Sequence, residues 1–222
     1  VATKAPVFGG KSVPQHLYLE KELDWISDPD NLTFLERHWQ SYSPVLEGLD
    51  WTTLRRLGLH LPRCEQGDCF WGTNNPLRPT FKAVEAGSLI PLTNDGGWKV
   101  RWIASPYRIH QAALNPLGER LFKTLRDLPW DCTFEQDKAY AVIQKHLSKG
   151  RKAFAVDLSS ATDYFPLSLQ RAVLSALFGK DMHQIELFCE LSRSEWRTGK
   201  YGTVRWSKGQ PMGVYPSFAS FA

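Results

Sequence analysis

The stretch AVDLSSATDYFP, residues 155–166, is the strongest local constraint in this sequence. A short run of small and β-branched residues ends on Asp157, and a second carboxylate, Asp163, follows six positions later. A glycine precedes the run at Gly150, so KAFAVDLS reads as a short buried strand with Asp157 at its carboxyl end. The next segment, PLSLQRAVLSALF, has helical spacing, with Pro166 in its first turn and Gly179 after it. The unit is therefore strand, tight connection, helix. An anion at the end of a buried strand is costly unless a cation or hydrogen bonds compensate it. No lysine or arginine stands at useful spacing beside Asp157, which makes Mg2+ one candidate, a hard ion that takes carboxylate oxygens, water and phosphates. Capping of the following helix by Asp157 and Asp163 is the other reading of the same pair.

The rest of the chain can support such a site. Its 222 residues are 42% hydrophobic and 13% aromatic, enough for a real core and unlike a disordered segment. The sequence contains no run of about 18 apolar residues, and VATKAPVFGGKSVPQ lacks the pattern of a secretory signal, so neither membrane insertion nor secretion is expected. A formal charge of +4 suits a polyanionic partner without requiring one. Cys64 and Cys69 could form half of a zinc site, but no second pair follows at ligand spacing. Together with Cys132 and Cys189 they read as reduced thiols of an intracellular protein. The chain starts at Val1 and stops in an apolar run, which suggests a piece of a longer protein.

Residues 1–90 are rich in Pro, Trp and turn residues, with short helices predicted near 32–42 and 51–59. After TNDGG, the run WKVRWIA alternates: Lys99 and Arg101 fall on one face, Val100, Trp102 and Ala104 on the other, as in a half-buried strand. From 107 to 128 apolar residues recur at three and four, predicting an amphipathic helix kinked or restarted near Pro116. Its Arg120, Lys123 and Arg126 read as a solvated face. Further helices are predicted over 138–147, ending at Gly150, and over 183–196. EWRTGKYGTVRWSKG then reads as a β-hairpin turning at 199–202. No internal repeat and no strong domain boundary stands out.

Two more elements carry chemistry. Gly209-Gln-Pro-Met-Gly213, followed by Ser217, reads as a flexible glycine loop opening a helix, which lets backbone approach a sugar-phosphate chain and offers a helix N-terminus to an anion. Lys99 and Arg101 are aligned cations suited to a triphosphate.

In this order and spacing the three elements resemble the RNA-dependent RNA polymerases of the mitovirus and narnavirus group. Lys99-x-Arg101-x-Ile103-Ala104, with Gln111, Leu114, Pro116, Leu117, Thr133, Phe134 and Gln136 downstream, resembles the group's basic fingers motif. Asp157-Leu-Ser-Ser-Ala-Thr-Asp163 resembles the first palm motif, and Gly209-Gln-Pro-Met-Gly213-x3-Ser217 the second. Tyr107 stands where mitoviruses usually carry an acidic residue, and Gly118 where they usually have histidine. The third palm motif, a turn with paired aspartates, does not occur in these residues.

The resemblance implies an α+β chain that is part of a right-hand polymerase, with helices packed on a small, mostly antiparallel sheet. Residues 1–150 would be fingers and 151–222 an incomplete palm. It implies template-directed nucleotidyl transfer from NTPs to an RNA 3′-hydroxyl by two metal ions, Mg2+ or Mn2+. Asp157 would hold the metal together with the Leu158 carbonyl, and Asp163 would reach for the ribose 2′-hydroxyl. Gly209, Gly213 and Ser217 would support sugar and template, while Lys99 and Arg101 neutralise the triphosphate. The partners implied are RNA, NTPs and a second chain supplying the remaining aspartates, and the isolated chain is expected to be inactive. Mitovirus-like relatives would work in mitochondria, narnavirus-like ones in cytosol. A domesticated RNA-binding relic, one half of a split polymerase and a two-metal nuclease are the alternatives.

Overall fold

The computed structural model describes residues 4–6, 12–14, 25–26, 28–47, 84–92 and 100–222. The helix predicted at 51–59, the Cys64/Cys69 pair and Lys99 lie outside these residues. The chain divides into two compact units, one formed by residues 1–113 and 194–204, the other by 114–193 and 205–222.

The first unit holds a two-stranded ladder, β1 (Lys4–Pro6) with β2 (Ser12–Pro14), and a four-stranded sheet. In that sheet β3 (Glu85–Leu92) pairs antiparallel with β4 (Arg101–Pro106) and parallel with β5 (Glu195–Arg197), which pairs antiparallel with β6 (Thr203–Val204). Two of the three pairings are antiparallel, as expected of a small mixed sheet. At Gly87, where the register shifts, φ is +151° and an added Cβ would lie 2.2 Å from the Ser105 carbonyl oxygen, so only glycine fits.

The alternation expected along 98–104 holds only in part. Ala104 is buried, but Val100 and Trp102 are about half exposed. Among the described residues β4 stands at the edge of the sheet, with β3 as its partner on one side.

Two helices accompany the sheet, α1 (Pro29–Arg37) and α2 (Trp39–Glu47), where the sequence suggested one. Asp28 caps α1 by accepting from the Asp30 amide, and the chain leaves helical geometry at His38. Trp25, Phe34, Tyr42 and His110 form a buried aromatic cluster, and the Trp25 indole donates to the Glu85 carbonyl, tying cluster to sheet. His110 is fully buried, with Nδ1 2.6 Å from the Tyr42 hydroxyl. Burial, reinforced by nearby His38, pushes its pKa down to about 3. Tyr107, at the usually acidic position, donates its hydroxyl to the Glu85 carboxylate, which also pairs with Arg197.

The second unit is helical. Helix α3 (Arg108–Asp127) crosses the division after Ala113 and runs through Pro116 as one element, so of the kink or restart expected there the restart does not occur. Leu114, Leu117, Leu121 and Leu125 bury its apolar stripe. Its basic side does more than face solvent: Arg120 pairs with buried Asp181 at 2.6 Å, and Arg126 lies over the Phe134 ring at 4.3 Å. Phe122 meets Phe134, Tyr215 and Phe218. The Tyr215 ring fills the space above Gly118, where a Cβ would come within 2.2 Å of it.

Helix α4 (Lys138–Ser148) buries none of its residues, and Gly150 follows with φ +69° as expected. The short α5 (Ala161–Tyr164), then α6 (Leu167–Leu177) behind Pro166, and α7 (Met182–Ser192) complete the unit. The helix predicted to reach 196 stops at Ser192, because Glu195 donates its amide to Val84 and Trp196 is fully buried in β5. The hairpin predicted around 199–202 is present between β5 and β6.

One pH effect follows from His110. Its folded pKa lies below the ordinary 6.5, so the unfolded chain binds the proton first. The stabilisation is full above that value and is lost as pH falls towards about 3, with a slope approaching about 1.4 kcal/mol per pH unit. Urea unfolding near neutrality and at about pH 5 should show this acid loss in the wild type and a smaller one in His110→Phe. Equal losses would contradict the burial of a neutral His110.

Candidate functional site

The predicted buried strand at 151–158 does not form. These residues take no helix or strand assignment, all are exposed, and Phe154 and Val156 are each 86% exposed. A strand needs a neighbour for its amides and carbonyls, and among the described residues none pairs with this segment. Asp157 is therefore a solvated carboxylate with no hydrogen-bond or ion-pair partner among the described residues. The desolvation penalty that would demand a cation beside it is absent. Leu158 is 61% exposed, so its carbonyl lies on an accessible stretch of chain.

The tight connection does form. Ser159 and Ser160 turn the chain, with Ser160 at φ +50°, an uncommon conformation for a residue with a side chain. The Ser160 carbonyl accepts from the amides of Asp163 and Tyr164 and starts α5. Neither carboxylate makes the capping bond considered above.

Residues 208–210 lie directly against α5 and the start of α6. The Gly209 amide donates to the Asp163 carbonyl at 3.0 Å, the Gln210 amide to the Thr162 carbonyl at 2.8 Å, and the Leu167 amide to the Lys208 carbonyl at 3.3 Å. An added Cβ at Gly209 would sit 1.9 Å from the Thr162 oxygen. Gly209 thus serves close backbone packing inside the protein, where the sequence suggested freedom to approach nucleic acid. Just upstream, the Trp206 indole donates to Asp163 Oδ1 at 2.8 Å.

Beyond Gly209 the chain makes successive turns to residue 221 and no helix, a correction to the expectation for the loop. Pro211 and Pro216 lack amide donors, and Pro216 disfavours helical geometry at Tyr215. Gly213 has φ +118°. Ser217 is buried, so its hydroxyl does not line an open surface. Its carbonyl accepts from Gln210 Nε2 and Ser220 Oγ, both at 3.0 Å, and Gln170 Nε2 donates to Ser220 Oγ at 2.7 Å.

The structure therefore brings together Asp163, Gly209 and, through Gln210, Ser217. Asp157 and Leu158 precede them on the exposed segment. Arg101 belongs to the other unit, exposed at the start of β4 opposite Leu92. Sequence reasoning missed Trp206 and Gln210; an indole three residues before a glycine loop carries no pattern of its own. Asp157 and the Leu158 carbonyl are hard oxygen donors that fit Mg2+ in kind. The described residues contain no group of three or more His, Cys, Asp or Glu able to hold a metal, so they do not form a complete centre. Cys132 and Cys189 are free thiols, and burial pushes the Cys189 pKa up to about 11.

Comparison with known proteins places these features in a family. The model of the mitovirus RNA-dependent RNA polymerase matches residues 74–222, a span that includes Lys99, Arg101, Asp157, Leu158, Asp163, Trp206, Gly209, Gly213 and Ser217. The chain belongs to this family. It is 31% identical over 143 residues to the RNA-directed RNA polymerase of Cryphonectria parasitica mitovirus 1, covering 61% of this chain and 17% of the relative. It is 34% identical over 104 residues to an uncharacterized mitochondrial protein of Arabidopsis thaliana, covering 44% of this chain and 40% of that protein. The chain thus spans well under two thirds of either relative. No solved structure matches it.

The contact at Gly209 makes a stability prediction. Gly209→Ala must push residues 208–210 away from α5 and should cost about 2 kcal/mol, read as a lower urea midpoint with unchanged slope. An unchanged midpoint would contradict the close packing.

Proposed function

We propose that this chain is part of an RNA-dependent RNA polymerase that transfers nucleotides from NTPs to an RNA 3′-hydroxyl under template direction. The observation that carries this reading is the family match over 74–222, which spans the basic motif, the carboxylate pair and the glycine loop in one order. On this reading residues 1–150 contribute to fingers and 151–222 to palm of a right-hand polymerase.

Asp157 and the Leu158 carbonyl would contribute oxygens to Mg2+ or Mn2+, in company with carboxylates supplied elsewhere in the polymerase or by a second chain. Such ions, when bound, activate the attacking hydroxyl and offset charge on the leaving pyrophosphate. Exposure of the 151–158 segment supports this role, since the donors are open to solvent. Asp163 would accept a hydrogen bond from the ribose 2′-hydroxyl, the group that separates RNA from DNA precursors. Lys99 and Arg101 would hold the triphosphate electrostatically, with the arginine fork matched to phosphate oxygens. Gly209 and Gly213 would set the loop that supports sugar and template, with Ser217 fixing its backbone from within.

A second reading, a domesticated relic that binds RNA without catalysis, is favoured by the similarity to the Arabidopsis mitochondrial protein. Both readings suit a mitochondrial location, and among the described residues no helix is long and apolar enough to cross a membrane.

The two are separated by binding and turnover. The chain should bind ATP with Mg2+ and single-stranded RNA, and Arg101→Ala should weaken ATP about tenfold. In an enzyme with its full set of carboxylates, Asp157→Ala should abolish incorporation, whereas Lys99→Ala should chiefly raise the nucleotide concentration required. Equal loss of turnover at saturating nucleotide in both variants would contradict these roles, and RNA binding without ATP binding would favour the relic.

A further inference from the structure

We infer that Trp206 is a positioning residue for ribose selection: its indole N–H fixes one oxygen of Asp163 so that the other is presented to a sugar hydroxyl. This rests on the reading of Asp163 as the carboxylate that senses the 2′-hydroxyl, and goes beyond it by naming what orients that group.

The geometry is specific. Indole Nε1 is a donor only, so it engages a carboxylate oxygen and cannot itself accept from a sugar hydroxyl in the carboxylate's place. It sits 2.8 Å from Asp163 Oδ1. Oδ2 has no partner among the described residues, and the Asp163 side chain is exposed. An unanchored aspartate rotates freely about its last torsion, a broad and nearly two-fold well, and offers either oxygen in a range of directions. One bond from a bulky ring, itself half-buried, removes that freedom.

The ring does not reach Asp163 by chance placement of a surface side chain. Three main-chain hydrogen bonds, from Gly209, Gln210 and Leu167, fasten residues 208–210 to the ends of α5 and α6. Residue 206 is two positions from that fastening, so carboxylate and indole are carried by the same backbone contact. Gly209, which admits no Cβ there, is a condition for the contact between Trp206 and Asp163.

The test is the affinity of the 222-residue chain for ATP and for 2′-deoxyATP, both with Mg2+, measured for wild type, Asp163→Asn, Trp206→Phe and the double variant. Wild type should prefer ATP about tenfold. Asp163→Asn should bring the two within about twofold, Trp206→Phe should lose most of the preference, and the double variant should match Asp163→Asn, as expected of a residue acting through another. Full preference in a folded Trp206→Phe, or a further loss in the double variant, overturns the inference while leaving the role of Asp163 intact. A wild type that binds both nucleotides equally, or neither, removes the reading of Asp163 and this inference with it. Should Trp206→Phe fail to fold, the indole N–H resonance of the wild type decides: it should move on adding ATP but not 2′-deoxyATP, and also in Asp163→Asn. An indole signal unmoved by Asp163→Asn overturns the inference.

Discussion

The site-bearing unit depends on one close approach, the passage of Gly209 over the end of α5. With no side chain at 209, the two backbones come near enough for paired main-chain hydrogen bonds to Asp163 and Thr162. Everything downstream inherits that placement. Gln210 is buried and bonds the Ser217 carbonyl, Ser217 is joined through Ser220 to Gln170 on α6, and Tyr215 and Phe218 close against Phe122 of α3. Upstream, the same contact delivers Trp206 to the Asp163 carboxylate. Two motifs separated by some forty residues of sequence are thereby joined through backbone, where a substitution of side chains elsewhere cannot easily undo them.

The carboxylates themselves divide sharply in environment. Asp163 is held, by its own main chain and by an indole. Asp157 is on an exposed, unpaired stretch whose apolar neighbours Phe154, Val156 and Leu158 also face water. A hydrated carboxylate is a ready ligand for a hard cation but contributes no preorganisation by itself. On the proposed reading, the preorganised part of the site within the described residues is the part that would face the sugar, and the metal would need further donors.

What the sequence made legible follows the range of the interactions. The stripe Leu114, Leu117, Leu121, Leu125 and the glycine at 150 are local patterns, and the helices they mark are present. The residues leading to Trp196 have helical spacing, yet parallel pairing with β3, more than a hundred residues earlier, claims Trp196 for the sheet. The run KAFAVDLS has the composition of a buried strand, but composition does not supply the neighbouring strand that burial requires. The same distinction holds in the site: the motif glycines and aspartates were visible as spacing, while Trp206 and Gln210 act through partners that spacing does not reveal. Gly209 is visible as part of a glycine loop, while the close contact with Thr162 that its missing side chain admits depends on a partner far away in sequence.

The central claim, that the carboxylate pair and the glycine loop together form a metal–nucleotide site, is tested most directly by paramagnetic broadening with Mn2+ and ATP on the isotopically labelled chain. The account predicts selective loss of amide signals from 157–163 and 206–213 when both are present, with the signals of α7 retained. Broadening centred on other residues, or none at about 1 mM nucleotide, would contradict it.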